Sequence, residues 1–248
     1  KGCEPQAIMK RRYLLICVVG DNSLHNNWFN NEDKFDILTI YYGNCPRKGN
    51  YFKQNSKFYH SSTGNKYNLI SNVIHEQKVP LNDYEYIWCP DDDLLISSND
   101  VFNFLEISRD KQLLLSQPSM KGFVSHKITK PRLLHTIRFT NFVEVIAPLF
   151  RKDIFCCLLY TFNFNESGWG LDFLWPKLLG YPKDKIAIID SIQMVHTKCI
   201  GRDYSRFEKH PAIHLTEILN KFDINYYEDN SRNFIVYSRV ILGLQFGF

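Results

Sequence analysis

The sequence predicts an α/β fold, a single domain with an open, mostly parallel sheet flanked by helices. Its 248 residues are enough to bury one large core. Several strand-like segments are continuous apolar runs, the pattern of strands buried on both faces, as in a parallel sheet. These runs alternate along the chain with segments of helical period, which is the order that produces such a sheet.

Each predicted strand is an apolar or β-branched run, and most are bounded by glycine or polar residues. They cover residues 13–19, 36–43, 57–60, 84–89, 113–115, 142–150 and 185–195. The predicted helices carry apolar residues at helical spacing or follow a residue that can cap them. They cover residues 65–76, 98–107, 154–160, 171–179 and 204–222, where Pro211 can divide the last. Residues 117–140 are polar and basic, and we predict a long loop over a site.

Composition restricts the possible functions. The net charge is only +4, and the basic residues are spread among acids along the chain, so no nucleic-acid partner is predicted. Seven cysteines without a CxxC pair indicate free thiols in a reducing compartment, and we predict a cytoplasmic protein. No apolar run is long enough for a transmembrane segment. Because the first residue is Lys1, the sequence is also compatible with a domain excised from a longer chain.

Three adjacent carboxylates, Asp91-Asp92-Asp93, directly follow the predicted strand 84–89. Like charges at such a position repel one another, and a divalent cation is the usual remedy. Carboxylate oxygens suit Mg²⁺ or Mn²⁺, which often bind through one or two carboxylates plus substrate phosphates. The alternative is an acidic loop that caps the next helix.

The polar residues that follow predicted strands should lie together. Gly20-Asp21, the aspartate triplet and His196 each come just after a strand. In open parallel sheets, ligands bind outside the carboxyl ends of the strands. We therefore expect one common site.

A second informative stretch is Ser167-Gly168-Trp169-Gly170, followed by Asp172 in the first turn of a predicted helix. The glycines permit unusual backbone angles that let the indole project. Trp169 could then stack on a sugar while Asp172 takes a proton from an acceptor hydroxyl. The alternative is a buried tryptophan and an ordinary acid at a helix start.

These stretches resemble known motifs. Residues 86–93 resemble the aromatic-apolar strand and acidic motif of glycosyltransferases with the nucleotide-diphospho-sugar transferase (GT-A) fold. Residues 168–172 resemble the Gly-Trp-Gly-x-(Asp/Glu) motif of inverting glycosyltransferases. A longer ordered set resembles a plant and bacterial domain-of-unknown-function family related to glycosyltransferases, a family that assigns no donor sugar: residues 19–25 and Trp28, 41–43, 115–118, 140–144, 168–172 and 195–197.

The GT-A resemblance implies a role for each candidate residue. A Mn²⁺ or Mg²⁺ ion would be held by Asp91, Asp93 and His196, and Asp172 would be the general base of an inverting reaction. Glu144 remains an alternative base. The residues predicted to bind the nucleotide are Gly20, Asp21, Ser23, Tyr42, Lys66, Asp91 and Asp92. Those predicted to contact the acceptor are Trp169, Asn141 and Glu144.

The resulting hypothesis is a metal-dependent, inverting glycosyltransferase that moves a hexosyl or pentosyl group from a nucleotide-diphosphate sugar, UDP-sugar by default, to a hydroxyl of a glycan or glycoprotein. The alternatives are a metal-dependent nucleotidyl- or phosphotransferase and a non-catalytic carbohydrate-binding module. We predict one domain over residues 1–248, in which about 10–115 bind the nucleotide sugar, about 116–225 bind the acceptor, and 226–248 form a C-terminal extension.

Overall fold

The computed structural model describes residues 12–31, 34–77, 79–201, 204–226 and 233–247. The eleven strands within these ranges form one sheet, and helices pack on it. The predicted α/β fold is confirmed. None of the helices in the described ranges has the length and apolarity needed to span a lipid bilayer.

The strands are β1 Tyr13–Val19, β2 Asp36–Tyr41, β3 Phe58–Ser61, β4 Tyr86–Trp88, β5 Leu94–Leu95, β6 Leu115–Gly122, β7 His135–Thr140, β8 Leu149–Arg151, β9 Ile186–His196, β10 Val236–Ile241 and β11 Leu244–Gly247. The helices are α1 Pro46–Gln54, α2 Lys66–Gln77, α3 Ser98–Asp110, α4 Lys152–Leu158, α5 Leu171–Leu178 and α6 Pro211–Lys221. Short 3₁₀ helices cover His25–Asn31, Leu81–Asp83, Lys127–Thr129, Leu159–Asn163 and Tyr204–Arg206.

The strand order is β11-β10-β7-β9-β6-β8-β4-β1-β2-β3, and β5 pairs with β9 beside this path. Strands β3, β2, β1 and β4 are parallel throughout, as are β6 and β9. The pairings made by β5, β7, β8, β10 and β11 are antiparallel. The sheet is therefore mixed, with its parallel strands concentrated in the N-terminal half.

The core lies on both faces of the sheet. Along β1, Leu15 and Cys17 point to one face, where they join side chains from α1 and α3. Leu14 and Ile16 point to the other face, where α2, α4, α5 and α6 pack. Because successive strand side chains alternate between faces, a strand covered on both sides must be apolar throughout. This is why the continuous apolar run predicted β1 so closely.

The segment predicted as a loop, residues 117–140, is mostly strand. β6 continues to Gly122 and β7 begins at His135, so only the residues between them form a connection. The polar residues of β6 made its sequence look like a loop. Ser116 and Ser119 are in fact buried, and their hydroxyls are hydrogen-bonded within the core.

The long strand predicted at 142–150 is reduced to β8 at Leu149–Arg151. The described part of the predicted C-terminal extension forms the β10–β11 hairpin.

Candidate active site

A cavity of about 560 Å³ opens where β1, β4 and β9 end, a size typical of small-molecule sites. It contains most of the residues that the sequence analysis selected: Tyr42, Lys66, Asp91, Asp92, Asp93, Glu144, Trp169, Asp172 and His196. The convergence follows from the topology, because β1, β4 and β9 end on the same edge of the sheet.

Strand register brings His196 to the aspartate triplet. The short strand β5 follows the triplet and pairs with β9, with Leu94 opposite His196. The hydroxyl of Thr197 also donates to the carbonyl oxygen of Asp93 at 2.8 Å. As a result, Nε2 of His196 lies 3.3 Å from Oδ2 of Asp93, although the two residues are far apart in sequence. A slip of one residue would turn His196 to the opposite face of the sheet.

Basic side chains neutralise the triplet. Nζ of Lys66 lies 2.6 Å from Oδ1 of Asp91, and Nζ of Lys198 lies 3.1 Å from Oδ1 of Asp92. Burial alone would lower the pKa of His196, but the hydrogen bond and charge of Asp93 outweigh burial and raise that pKa to about 9. These cations balance part of the charge of the triplet, and the divalent ion stays a prediction.

Asp92 is held by the residues that were predicted to surround the nucleotide. Its Oδ2 accepts hydrogen bonds from the backbone N–H of Gly20 at 2.9 Å and from the hydroxyl of Tyr42 at 3.0 Å. The hydroxyl of Ser23 lies 3.3 Å from the Asp92 carbonyl oxygen. Asp21 accepts from the hydroxyl of Tyr41. Gly20, Asp21 and Ser23 are not among the residues that line the cavity. Gly20 and Ser23 contact Asp92 from outside the lining, whereas Asp21 bonds the segment that follows β2.

Two residues of the predicted metal set fit a divalent cation. Oδ1 of Asp93 is buried without a hydrogen-bond partner. Nδ1 of His196 bonds the carbonyl oxygen of Phe123 at 2.7 Å, a bond that leaves Nε2 as the ligand nitrogen of the neutral ring. Oδ1 of Asp91 accepts a hydrogen bond from Lys66. The described residues contain no group of three His, Cys, Asp or Glu side chains able to hold a metal. Asp93 and His196 would thus need phosphate oxygens to complete the site.

Two buried carboxyl groups, Glu144 and Asp172, line the cavity beside the acidic turn. Burial raises the pKa of Asp172 to about 8, and the negative charge of Glu144 adds to the rise. Burial likewise raises the pKa of Glu144 to about 7. Oε2 of Glu144 is buried without a hydrogen-bond partner. Carboxyl groups that titrate near neutrality are suited to accept a proton from a substrate hydroxyl.

The Gly-Trp-Gly segment has the backbone that its sequence suggested. Gly168 and Gly170 have φ angles of +76° and +91°, which strongly favour glycine. A Cβ atom at Gly168 would lie 2.7 Å from the ring of Tyr67. Asn165 fastens the segment, accepting from the N–H of Gly168 and donating to the carbonyl of Trp169. This backbone starts α5 at Leu171 and puts Asp172 in its first turn, where the residue is only 5% exposed.

Asn141 lies outside the cavity lining, contrary to its predicted place in the acceptor site. Its amide nitrogen donates to the carbonyl of Asn233 at 3.0 Å, and its oxygen accepts from the N–H of Ile235 at 2.7 Å. Both ends of the side chain therefore attach the segment that precedes β10. From the sequence alone, a polar residue beside a predicted strand could equally hold another segment of the chain or bind an acceptor.

The sequence analysis missed three cavity residues that follow β9: Lys198, Tyr204 and Arg206. The ring of Tyr204 packs edge-on against Trp169, with 5.4 Å between the ring centroids. Lys198 and Arg206 give the cavity two more cations beside Lys66. Their position after a strand that ends at the site was the signal available, but residues from 204 onward were predicted as a helix.

The fold is that of the GT-A glycosyltransferases. GalNAc-T7, solved with UDP, GalNAc and Mn²⁺, matches 84% of this chain with a TM-score of 0.59 at 10% identity. Residues 1–349 of TarS from S. aureus match 85% of this chain with a TM-score of 0.54 at 11% identity. The chain covers 48% of the GalNAc-T7 chain and 71% of the TarS chain. At these identities the likeness concerns the fold.

The chain belongs to the family described as "Protein of unknown function (DUF707)", which matches residues 4–216. No curated protein sequence matches the chain. The family match includes all the residues that line the cavity except Tyr226.

Proposed function

We propose that the protein is a glycosyltransferase that moves a sugar from a nucleotide-diphosphate donor, UDP-sugar by default, to a hydroxyl of a glycan acceptor with inversion. The observation that carries this proposal is one cavity lined by two chemically different groups of side chains. One group is the aspartate triplet with its lysines, and the other is the buried carboxyl pair. Displacement at a sugar carbon needs both groups of side chains. One group stabilises the leaving diphosphate, and the other takes the proton from the attacking hydroxyl.

Lys66, Lys198 and Arg206 are suited to bind the donor. All three line the cavity, and the lysines contact the triplet in this structure. An entering diphosphate can take over these cations, which frees carboxylate oxygens of Asp91 and Asp92. A Mn²⁺ or Mg²⁺ ion held by Asp93 and His196 would supply Lewis-acid stabilisation of the leaving diphosphate. The Mn²⁺ in the GalNAc-T7 structure supports this choice of ion.

Asp172 is the proposed general base, and Trp169 with Tyr204 the acceptor platform. The carboxyl of Asp172 is buried in the cavity, so the hydroxyl that reaches it leaves bulk water. Glu144 lies close enough to raise the pKa of Asp172. When the base takes the acceptor proton, the pair becomes less charged, which favours the transfer. The indole of Trp169 offers a flat apolar face for a sugar ring.

Residues 10–115 and 116–225 would then be the donor and acceptor halves of one domain.

The six cysteines among the described residues are free, which supports the proposed cytoplasmic location.

A thermal-shift titration with UDP, with and without Mn²⁺, tests the donor site. We expect UDP with Mn²⁺ to raise the Tm more than either alone, because phosphate oxygens must complete the two-residue site. Asp93→Asn should remove the Mn²⁺-dependent part of the shift, while Asp184→Asn, at an exposed position, should keep it. Equal shifts for wild type and Asp93→Asn would contradict the metal assignment. Pyrophosphate release from a nucleotide substrate would instead indicate a nucleotidyltransferase, and glycan binding without turnover a binding module.

A further inference from the structure

Two neighbouring turns carry exposed leucines at the sheet edge that holds the cavity. The first is a β-turn from Arg132 to His135 with Leu133 and Leu134 at its centre. The second is the two-residue loop Leu242-Gly243 between β10 and β11. The backbone N–H of Leu242 donates to the carbonyl of Leu134 at 3.3 Å, so the turns are in contact. We call them the leucine turns.

Folding gives no reason for leucine at these positions. Leu133, Leu134 and Leu242 are 87%, 57% and 73% exposed, among the most exposed large apolar residues of the described chain. Leu134 and Leu242 also adopt φ angles of +64° and +47°, where glycine, asparagine and aspartate are the favoured residues. Solvent exposure and backbone strain are both unfavourable, and strain of this kind concentrates where a residue has a function.

The charged residues of the two segments that carry the leucine turns are all basic. Residues 117–140 contain five Lys or Arg residues and no Asp or Glu, and residues 233–247 contain one Arg and no acid. Three of these cations are exposed and lie within about six residues of the first turn: Lys127, Lys130 and Arg132. Asp190 contacts this segment, but it is buried and paired with Arg138 at 2.6 Å. The apolar turns are therefore flanked by cations without exposed acids of their own segments.

We propose that the leucine turns dock the protein on an anionic lipid bilayer. Exposed leucines on protruding turns can enter the headgroup region, while the flanking cations attract acidic lipids. A second copy of this chain is disfavoured as the partner, because a two-fold contact through these turns would bring the basic flanks of the two copies close together.

Docking would present the cavity to the lipid surface. β7 pairs with β9 antiparallel, so the start of β7 lies toward the same edge as His196, the end of β9. β10 is antiparallel to β7, and its end at Ile241 pairs with His135. Both leucine turns thus lie at the edge that carries the candidate active site.

Vesicle flotation of the whole chain tests the proposal, with phosphatidylcholine vesicles and with vesicles that also contain phosphatidylserine. We expect binding to the anionic vesicles, weaker binding to phosphatidylcholine alone, and weakening by salt. Leu133→Ser with Leu242→Ser should lower the partition coefficient at least about tenfold. Lys130→Gln with Arg132→Gln should lower it about tenfold on anionic vesicles only.

Ile213→Ser provides the matched control, since Ile213 is an exposed apolar residue on α6, outside the leucine turns. It should bind vesicles as wild type does, and all variants should keep the wild-type Tm. No binding to either vesicle, or equal binding by the double leucine variant, would overturn the proposal. So would a wild-type dimer, seen by light scattering, that the leucine variant converts to a monomer. None of these outcomes depends on transferase activity.

Discussion

At the scale of single residues, the proposed chemistry depends on two carboxyl groups that are shielded from bulk water. Asp172 and Glu144 each line the cavity, and each is at most 5% exposed. The pKa values of about 8 and about 7 place their titration near neutral pH. Because each ionised group disfavours ionisation of the other, the pair titrates as a unit.

The first prediction concerns how each carboxyl contributes to the rate. Asp172→Asn should lower kcat about 10²- to 10⁴-fold with little change in the donor KM, because a general base acts in the transition state. Glu144→Gln should have a smaller effect on kcat. Steady-state kinetics with a saturating acceptor measure both. The assignment of the base is reversed if Glu144→Gln is the inactive variant and Asp172→Asn keeps most of its activity.

A second prediction links the same carboxyl to stability. The folded-state pKa of Asp172 is about 8 against an ordinary value of 3.8, so the unfolded chain loses this proton first as the pH rises. The stability contributed by protonated Asp172 is therefore complete below about pH 4 and is lost as the pH approaches 8.

Asp172→Asn has no ionisable carboxyl at this position, so the decrease in stability between pH 4 and pH 8 that Asp172 causes should disappear. The substitution should raise the free energy of unfolding at pH 8, relative to its effect at pH 4, by more than about 1.4 kcal/mol, the equivalent of one pKa unit. Urea unfolding at the two pH values measures the difference. Asp110→Asn, at an exposed helix end, serves as control. An equal effect of Asp172→Asn at both pH values would mean that the carboxyl is not held protonated.

Sequence reasoning found the residues that form short motifs and missed those that the fold brings in singly. Asp91 to Asp93 and the Gly-Trp-Gly segment were recognisable because several unusual residues are adjacent. Lys198 and Arg206 reach the cavity only because β9 ends there, and an isolated Lys or Arg gives no local pattern. Asn141 shows the opposite error, since a polar residue near the site serves the packing of the C-terminal segment.

At the scale of elements, the start of α5 fixes the position of the proposed base. Gly170 caps this helix at φ +91°. A Cβ atom there would lie 2.8 Å from Cβ of Ile218, a branched residue on α6. The approach of α6 to α5 thus requires glycine at this position for two reasons, the backbone angle and the contact.

Gly170→Ala should therefore destabilise the fold and displace Asp172. Gly180→Ala is the matched control, because Gly180 has a similar φ of +74° and a Cβ atom there would have no neighbour within 4 Å. We expect Gly170→Ala to lower the free energy of unfolding by about 2 kcal/mol more than Gly180→Ala, and to lower kcat as well. Denaturant unfolding and kinetics measure these effects. Equal destabilisation by both variants would show that the contact with Ile218 is unimportant.

Element prediction succeeded where burial made a strand uniformly apolar and failed where polar residues are buried or apolar residues exposed. β1, β2 and α2 were predicted close to their bounds. β6 was cut short because its serines lie in the core. Helix α1 was missed because Pro46, which starts it, and its polar residues resemble a turn. The β10–β11 hairpin was missed because β11 is exposed along its length.

At the scale of the whole molecule, the fold joins a parallel half to a half of mixed strand direction. In the parallel half, the acidic turn follows β4 and Lys66 starts α2. In the other half, Glu144 precedes β8 and Asp172 follows the Gly-Trp-Gly segment. β9 joins the halves, because it pairs with β6, with β7 and with the short strand after the triplet. Topology of this kind depends on pairings between distant residues, which is why the sequence predicted the class of fold but not the strand order.

The central claim is that this cavity transfers a sugar from a nucleotide-diphosphate donor. The most direct measurement follows nucleoside diphosphate release from a panel of nucleotide sugars, with Mn²⁺ and glycan acceptors, for wild type and Asp172→Asn. We predict release by wild type with at least one donor, and release reduced at least about 100-fold in Asp172→Asn, although that variant still binds the donor. Release that is equal in both proteins, or release of pyrophosphate in place of the nucleoside diphosphate, would contradict the account.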